Sequence, residues 1–163
     1  MTNQGALQIT TPGDSEIRIT RSFDAPPQLV WDAYTRPELL KRWLGAMHGW
    51  SWAVCEMDVR EGGRYRWVWR GPEGAEMGLG GTYREVVPAE RLVSTERYDQ
   101  AWYPGEATGT VEFIEQGGRT MLVTTLRYES KAARDAVLQS GATDGMESGY
   151  TALDTLLAST AAA

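Results

Sequence analysis

The stretch Gly62-Gly63-Arg64-Tyr65-Arg66-Trp67-Val68-Trp69-Arg70-Gly71-Pro72-Glu73-Gly74 decides the fold. Tyr65, Trp67 and Trp69 stand at every second position, the repeat of a strand whose successive side chains point to opposite faces. Glycine and proline turn signals close the run on both sides. A strand bounded so tightly must reach its neighbours through short hairpins, and short hairpins build antiparallel sheet.

The same grammar continues outward in both directions. Residues 50–59 read as an irregular strand. Its apolar positions change parity between Trp52-Val54 and Met57-Val59, which predicts a bulge. Residues 77–87 read as a strand weakened by Gly78, Gly80 and Gly81, and Pro88-Ala89-Glu90 as a turn. Residues 92–98, 108–115 and 119–128 complete the strands. Gln116-Gly117-Gly118 makes a hairpin between the last two, and a longer loop at 99–106 carries Trp102 and Tyr103.

Upstream, Ile17, Ile19, Arg21 and Phe23 alternate with Arg18, Thr20 and Ser22 as a half-buried strand. Asp24-Ala25-Pro26-Pro27 is a helix entry, because proline lacks the N–H that a first turn leaves unpaired. Leu29, Val30, Ala33 and Tyr34 follow at helical spacing. Thr35 and Glu38 match a capping box for a second short helix with the apolar stripe Leu39, Leu40, Trp43 and Leu44.

Beyond Ser130 the period turns helical again. Residues 131–139 form a short helix, Ser140-Gly141 breaks it, and a final helix runs over about 142–158. Met146, Tyr150, Leu153 and Leu157 share one face of it. Gly145 and Gly149 share a face as well, which predicts close approach to the sheet or to a ligand, so that Gly149→Ala should overpack. Residues 1–14 are expected to be a flexible leader, 15–158 a single domain, and 159–163 a frayed tail.

Composition bounds the function. The chain has 163 residues, one cysteine (Cys55) and a formal net charge of −6. A chain of this length buries roughly two-thirds of its unfolded surface and needs no disulfide or metal. An acidic domain without a basic patch is a poor partner for nucleic acid or anionic membranes. No signal-peptide pattern or spanning run is visible, and a cytoplasmic setting is expected. Seven tryptophans and seven tyrosines stand beside two phenylalanines. Aromatics with a polar handle suit a ligand pocket as well as a core.

In chain order, Phe23-Asp24-Ala25-Pro26, Val30-Trp31, Pro37-Glu38-Leu39, Trp43, Gly62-Gly63, Gly81-Thr82-Tyr83, Pro88-Ala89-Glu90-Arg91-Leu92 and Gly145-Met146-Glu147-Ser148-Gly149-Tyr150 resemble the Hsp90-ATPase-activator-homologue group of the START/Bet v 1-like superfamily. The resemblance spans residues 15–158. It implies an α+β helix-grip fold, with a seven-stranded antiparallel sheet curved around a long C-terminal helix and a cavity between them. Members of the superfamily bind lipids, hormones or polyketides, and a few are cyclases.

On that fold, Tyr65, Trp67 and Trp69 read either as sheet core or as a cavity floor. Trp52, Tyr83, Leu122, Thr124, Leu126 and Tyr128 extend the wall, Trp102 joins from its loop, and Met146 and Tyr150 face it from the helix. Glu96 is the candidate polar group. Facing in, it is a buried carboxyl able to act as acid or base. Facing out and paired with an arginine is the simpler placement, as for Glu56, Asp58 and Glu112.

One histidine, His48, and Cys55 cannot assemble a metal site, and nothing holds them together as a nucleophile and base. Glu61-Gly62-Gly63-Arg64 lacks the ending and the helix of a phosphate loop. No cofactor, metal or catalytic residue is assigned. The leading expectation is a binding module for a small hydrophobic molecule, with a homodimer left open. The alternatives are a polyketide cyclase or aromatase-type enzyme, and a chaperone- or stress-associated interaction protein.

Overall fold

The computed structural model describes residues 7–45, 49–99, 105–140 and 146–161. The chain runs β1 (Gln8–Thr10), β2 (Glu16–Phe23), α1 (Pro27–Thr35), α2 (Pro37–Leu40), β3 (Ser51–Met57), β4 (Arg64–Arg70), β5 (Glu76–Val87), β6 (Arg91–Tyr98), β7 (Ala107–Gln116), β8 (Arg119–Arg127), α3 (Lys131–Gln139) and α4 (Met146–Ala161). The strands form one sheet in the order β1-β2-β8-β7-β6-β5-β4-β3, every pair antiparallel. The α+β helix-grip layout expected from the sequence is the fold observed.

The sheet follows from its turns. Gly117 and Gly118 sit at φ 62° and 83°, the left-handed backbone of a two-residue hairpin, and join β7 to β8 in continuous register. The expected irregularity in β3 falls between Trp52 and Val54, and a second lies between Tyr83 and Glu85 of β5. At Gly81 the Thr95 carbonyl fills the place of a side chain, so β5 and β6 approach there only because the residue is glycine.

Three expectations are corrected. The sheet has eight described strands rather than seven, because Gln8–Thr10 of the supposed leader pairs with β2. All three residues are exposed; the pairing uses backbone groups alone and leaves no apolar alternation to read. Second, no capping box forms. Thr35 Oγ1 donates to the Trp31 carbonyl at 2.8 Å, Arg36 occupies the N-cap of α2 without a side-chain bond, and Pro37 starts the helix. Third, α4 continues three residues past the expected end. Ser159 and Thr160 donate their hydroxyls to the Leu156 carbonyl at 2.8 and 2.9 Å, and alanine-rich sequence sustains the turn.

The core lies between the concave face of the sheet and α4. Ile17, Ile19 and Phe23 of β2 are fully buried with Leu122 of β8 and Leu153 of α4. Each such side chain contributes roughly 1.5–3 kcal/mol through burial. Arg21 occupies the remaining inward position of that alternation. It donates two hydrogen bonds to Asp154 of α4, at 2.8 and 2.7 Å, and its guanidinium lies 4.7 Å from the centre of the Phe23 ring. The helix is thus held to the sheet by apolar contact and by one buried cation.

Candidate functional site

The elements do not close completely on one another. Between β4–β8, the inner face of α4 and the α1–α2 segment lies a cavity of about 650 Å³. Its floor is aromatic. Tyr65, Trp67 and Trp69 project from alternate positions of β4, and the Tyr65 ring stands 4.5 Å from Trp67 and 5.3 Å from Tyr83. Tyr65 donates its hydroxyl to the Thr95 carbonyl at 2.7 Å, so the ring is fixed. Arg66 and Arg70, on the alternate positions of the strand, point away from the cavity and pair with Asp99 and Glu76 on the outer face.

Thr124, Leu126 and Tyr128 line the side wall, and Met146, Gly149 and Tyr150 of α4 form the roof. Trp43 closes one end. Its indole N–H donates to the Ala33 carbonyl at 2.9 Å, and its ring stacks 6.4 Å from that of Tyr150. Two candidate positions lie elsewhere. Leu122 is sealed in solid core, one step along β8 from the cavity wall. Trp52 sits at the sheet edge on β3, against Trp67 and Trp69 at 6.4 and 4.8 Å, where it supports their rings from outside the cavity. Trp102, His48 and Gly145 lie outside the described residues.

The simpler placement of Glu96 is overturned. Its side chain faces the cavity, and no arginine, lysine or histidine accompanies it among the described lining residues. Burial pushes its carboxyl from 4.5 up to about 7. It retains some accessible area because it borders the void. Burial also raises the phenols of Tyr65 and Tyr83, and the Glu96 charge adds to the effect on Tyr65. The other strand carboxylates behave as expected: Glu112 pairs with Arg91 at 3.6 Å, Asp58 with Arg60 at 2.8 Å, and Glu56 is exposed. Cys55 is half-buried on β3, its thiol pushed up by burial against a lowering influence of Lys41. That is the state of an unreactive thiol. Among the described residues no group of three or more His, Cys, Asp and Glu side chains could hold a metal ion.

Sequence reasoning missed the contribution of Tyr34, Leu40, Trp43 and Leu44. Their helical spacing was visible, but periodicity names the buried face of a helix and not the surface it covers. It also misjudged Gly149. A methyl added there would meet only the Trp43 carbonyl oxygen, at an ordinary 3.8 Å. Propensity therefore governs, and Gly149→Ala should stabilise the protein by about 1 kcal/mol. Thermal melts should show a higher midpoint, and a lower one would restore the overpacking account.

A curved antiparallel sheet gripping a C-terminal helix around a void defines a helix-grip domain, a fold of ligand-binding kind. The chain belongs to the family described as Activator of Hsp90 ATPase homolog 1-like protein, whose model matches residues 24–158. It is similar to a Rhodobacter sphaeroides protein of solved structure, with 37% identity over 93% of this chain and 98% of that one, at a TM-score of 0.86. A Nitrosomonas europaea protein is 27% identical over 93% of this chain and 99% of its own, at a TM-score of 0.80. A Mycobacterium smegmatis protein shares the fold at 24% identity and a TM-score of 0.81, with 93% and 97% covered. No protein of curated function matches the chain. No helix among the described residues is long and apolar enough to cross a membrane.

Proposed function

We propose that the protein binds a small hydrophobic or aromatic molecule in the cavity between sheet and C-terminal helix. The observation that supports this reading is the void itself. About 650 Å³ lined mainly by aromatic and aliphatic side chains is of the size that drug-sized ligands occupy. Close packing would otherwise fill such a space, since every void forfeits contacts. The single cysteine, Cys55, is a free thiol, which fits a reducing, cytoplasmic setting.

Trp67 carries the test. It lines the cavity and is only partly buried, unlike its neighbours Tyr65 and Trp69. Trp67→Ala should weaken binding of a neutral dye such as Nile red at least about tenfold, or roughly 1.4 kcal/mol. It should cost less stability than the ~3–5 kcal/mol of a fully buried aromatic. Normal dye binding by a badly destabilised variant rejects the pocket role. Native mass spectrometry of the purified protein would identify a co-purifying molecule directly.

The inward Glu96 beside an inward tyrosine also favours a second reading, acid–base chemistry of cyclase type. Tyr65, however, already donates its proton to Thr95, and burial holds it protonated. Tyr65 is thereby committed to a backbone partner, and binding stands ahead. An interaction role has less support, because the cavity is not filled and Ile9 and Ile114 are the large apolar side chains exposed among the described residues.

A further inference from the structure

The binding reading leaves one cavity group without a purpose. Glu96 is the only acidic or basic side chain among the described lining residues. Strand alternation on β6 turns Ser94, Glu96 and Tyr98 toward the void, and the next residue, Arg97, is exposed. The carboxylate borders the cavity beside a residue without a side chain. On the neighbouring strand Gly109 pairs with Ser94, and a methyl there would touch Leu126 Cδ2 at 3.4 Å and Glu96 Oε2 at 4.0 Å, so glycine keeps this side of the carboxylate uncovered.

Three ligand chemistries can be weighed against this geometry. An anionic ligand would meet a like charge in a low-dielectric space, with no cation among the described lining residues to offset it. A purely apolar ligand would displace water from a carboxylate and return no hydrogen bond. A protonated amine supplies both a counter-charge and N–H donors. The aromatic side chains of Tyr65, Trp67 and Tyr98 line the same cavity, and aromatic rings attract cations. We propose that the molecule bound in this cavity is a hydrophobic or aromatic amine, its ammonium group donating to the Glu96 carboxylate and its apolar body lying along the aromatic floor. The proposal rests on the reading that the cavity binds a small molecule.

Three probes with one apolar body test it: 4-(aminomethyl)biphenyl, 4-biphenylmethanol and biphenyl-4-carboxylate, titrated calorimetrically into the full chain at about pH 8, where Glu96 is ionised. The amine should bind at least about tenfold tighter than the alcohol, the scale of a hydrogen bond to a charged group, and the carboxylate weakest of the three. In Glu96→Gln the amine should lose its advantage and fall to the level of the alcohol. If that variant does not fold, wild type at about pH 5 decides. Protonated Glu96 should then shrink the amine preference, while the phenols of Tyr65 and Tyr83, which burial raises, remain neutral at both values. An alcohol that binds as tightly as the amine, a preferred carboxylate, or an amine preference unchanged by both variant and pH overturns the proposal and leaves the cavity reading standing. Failure of all three probes to bind wild type overturns both.

Discussion

Asp154→Ala should destabilise the protein by about 3 kcal/mol, the lower part of the range for breaking a buried ion pair, and Arg21→Met should cost less. The asymmetry follows from where the two charges sit. Arg21 is 3% exposed and Asp154 44%. Burial alone would lower the pKa of Arg21, and its hydrogen bonds to Asp154 with the charges of Asp154 and Glu147 reverse that effect. Without Asp154 the guanidinium stays enclosed between β2 and α4, with Glu147 at 3.6 Å as its remaining acidic partner. Without Arg21 the two carboxylates turn toward water, and a flexible methionine fills the space against Phe23 and Tyr150 at a cost within about 1.5 kcal/mol. Urea denaturation of both variants measures the difference. If Arg21→Met is the less stable of the two, the clamp works through the arginine's packing and not through its compensated charge.

Glu96→Gln should leave stability nearly unchanged at about pH 4 and raise it by roughly 2–4 kcal/mol at about pH 8, at ~1.4 kcal/mol per unit of pKa displacement. The folded carboxyl titrates near 7 and its ordinary value is 4.5. Below 4.5 both states are protonated and nothing distinguishes them. Between 4.5 and 7 the unfolded chain releases its proton while the folded chain keeps it. The native state then binds more protons, so its stability falls as pH rises. Above 7 the folded protein carries an enclosed carboxylate, and the full penalty is present. Glutamine keeps the shape and does not titrate. Melting curves of wild type and variant across this range should diverge between pH 4.5 and 7. Parallel curves would mean that Glu96 is solvated or paired and that the cavity does not enclose it. A ligand that supplies a cation should remove the divergence, which ties this stability measurement to the amine proposal.

The two results would separate two uses of a buried charge in one fold. Arg21 sits among apolar side chains and is compensated from the helix above it, so it fastens α4 to the sheet. Glu96 has no such counter-ion among the described residues and borders open space. The first arrangement is that of a structural pair, and the second that of a site awaiting a partner.

Much of this architecture was legible in the amino-acid order. Period-two runs, Gly-Gly turns and the parity change at Trp52-Val54 determined the antiparallel sheet and its bulge, because strand geometry couples each residue to a face. Pro26-Pro27 and Pro37 determined where the short helices begin. The aromatic face of β4 was visible as Tyr65, Trp67 and Trp69. The tertiary structure alone decided which of these faces meets a void. Leu122 and Leu126 occupy the same face of the same strand, yet one is sealed in core and the other borders the cavity, because α4 and the α1–α2 segment cover the sheet unevenly. The direction of Glu96 was beyond sequence for a related reason. A carboxylate can face either side of a strand, and only the packing of the sheet's inner face against the helices decides that the side carrying Leu92, Ser94, Glu96 and Tyr98 borders the cavity. Even β1 escaped notice, since a strand joined to an edge by backbone hydrogen bonds requires nothing of its side chains.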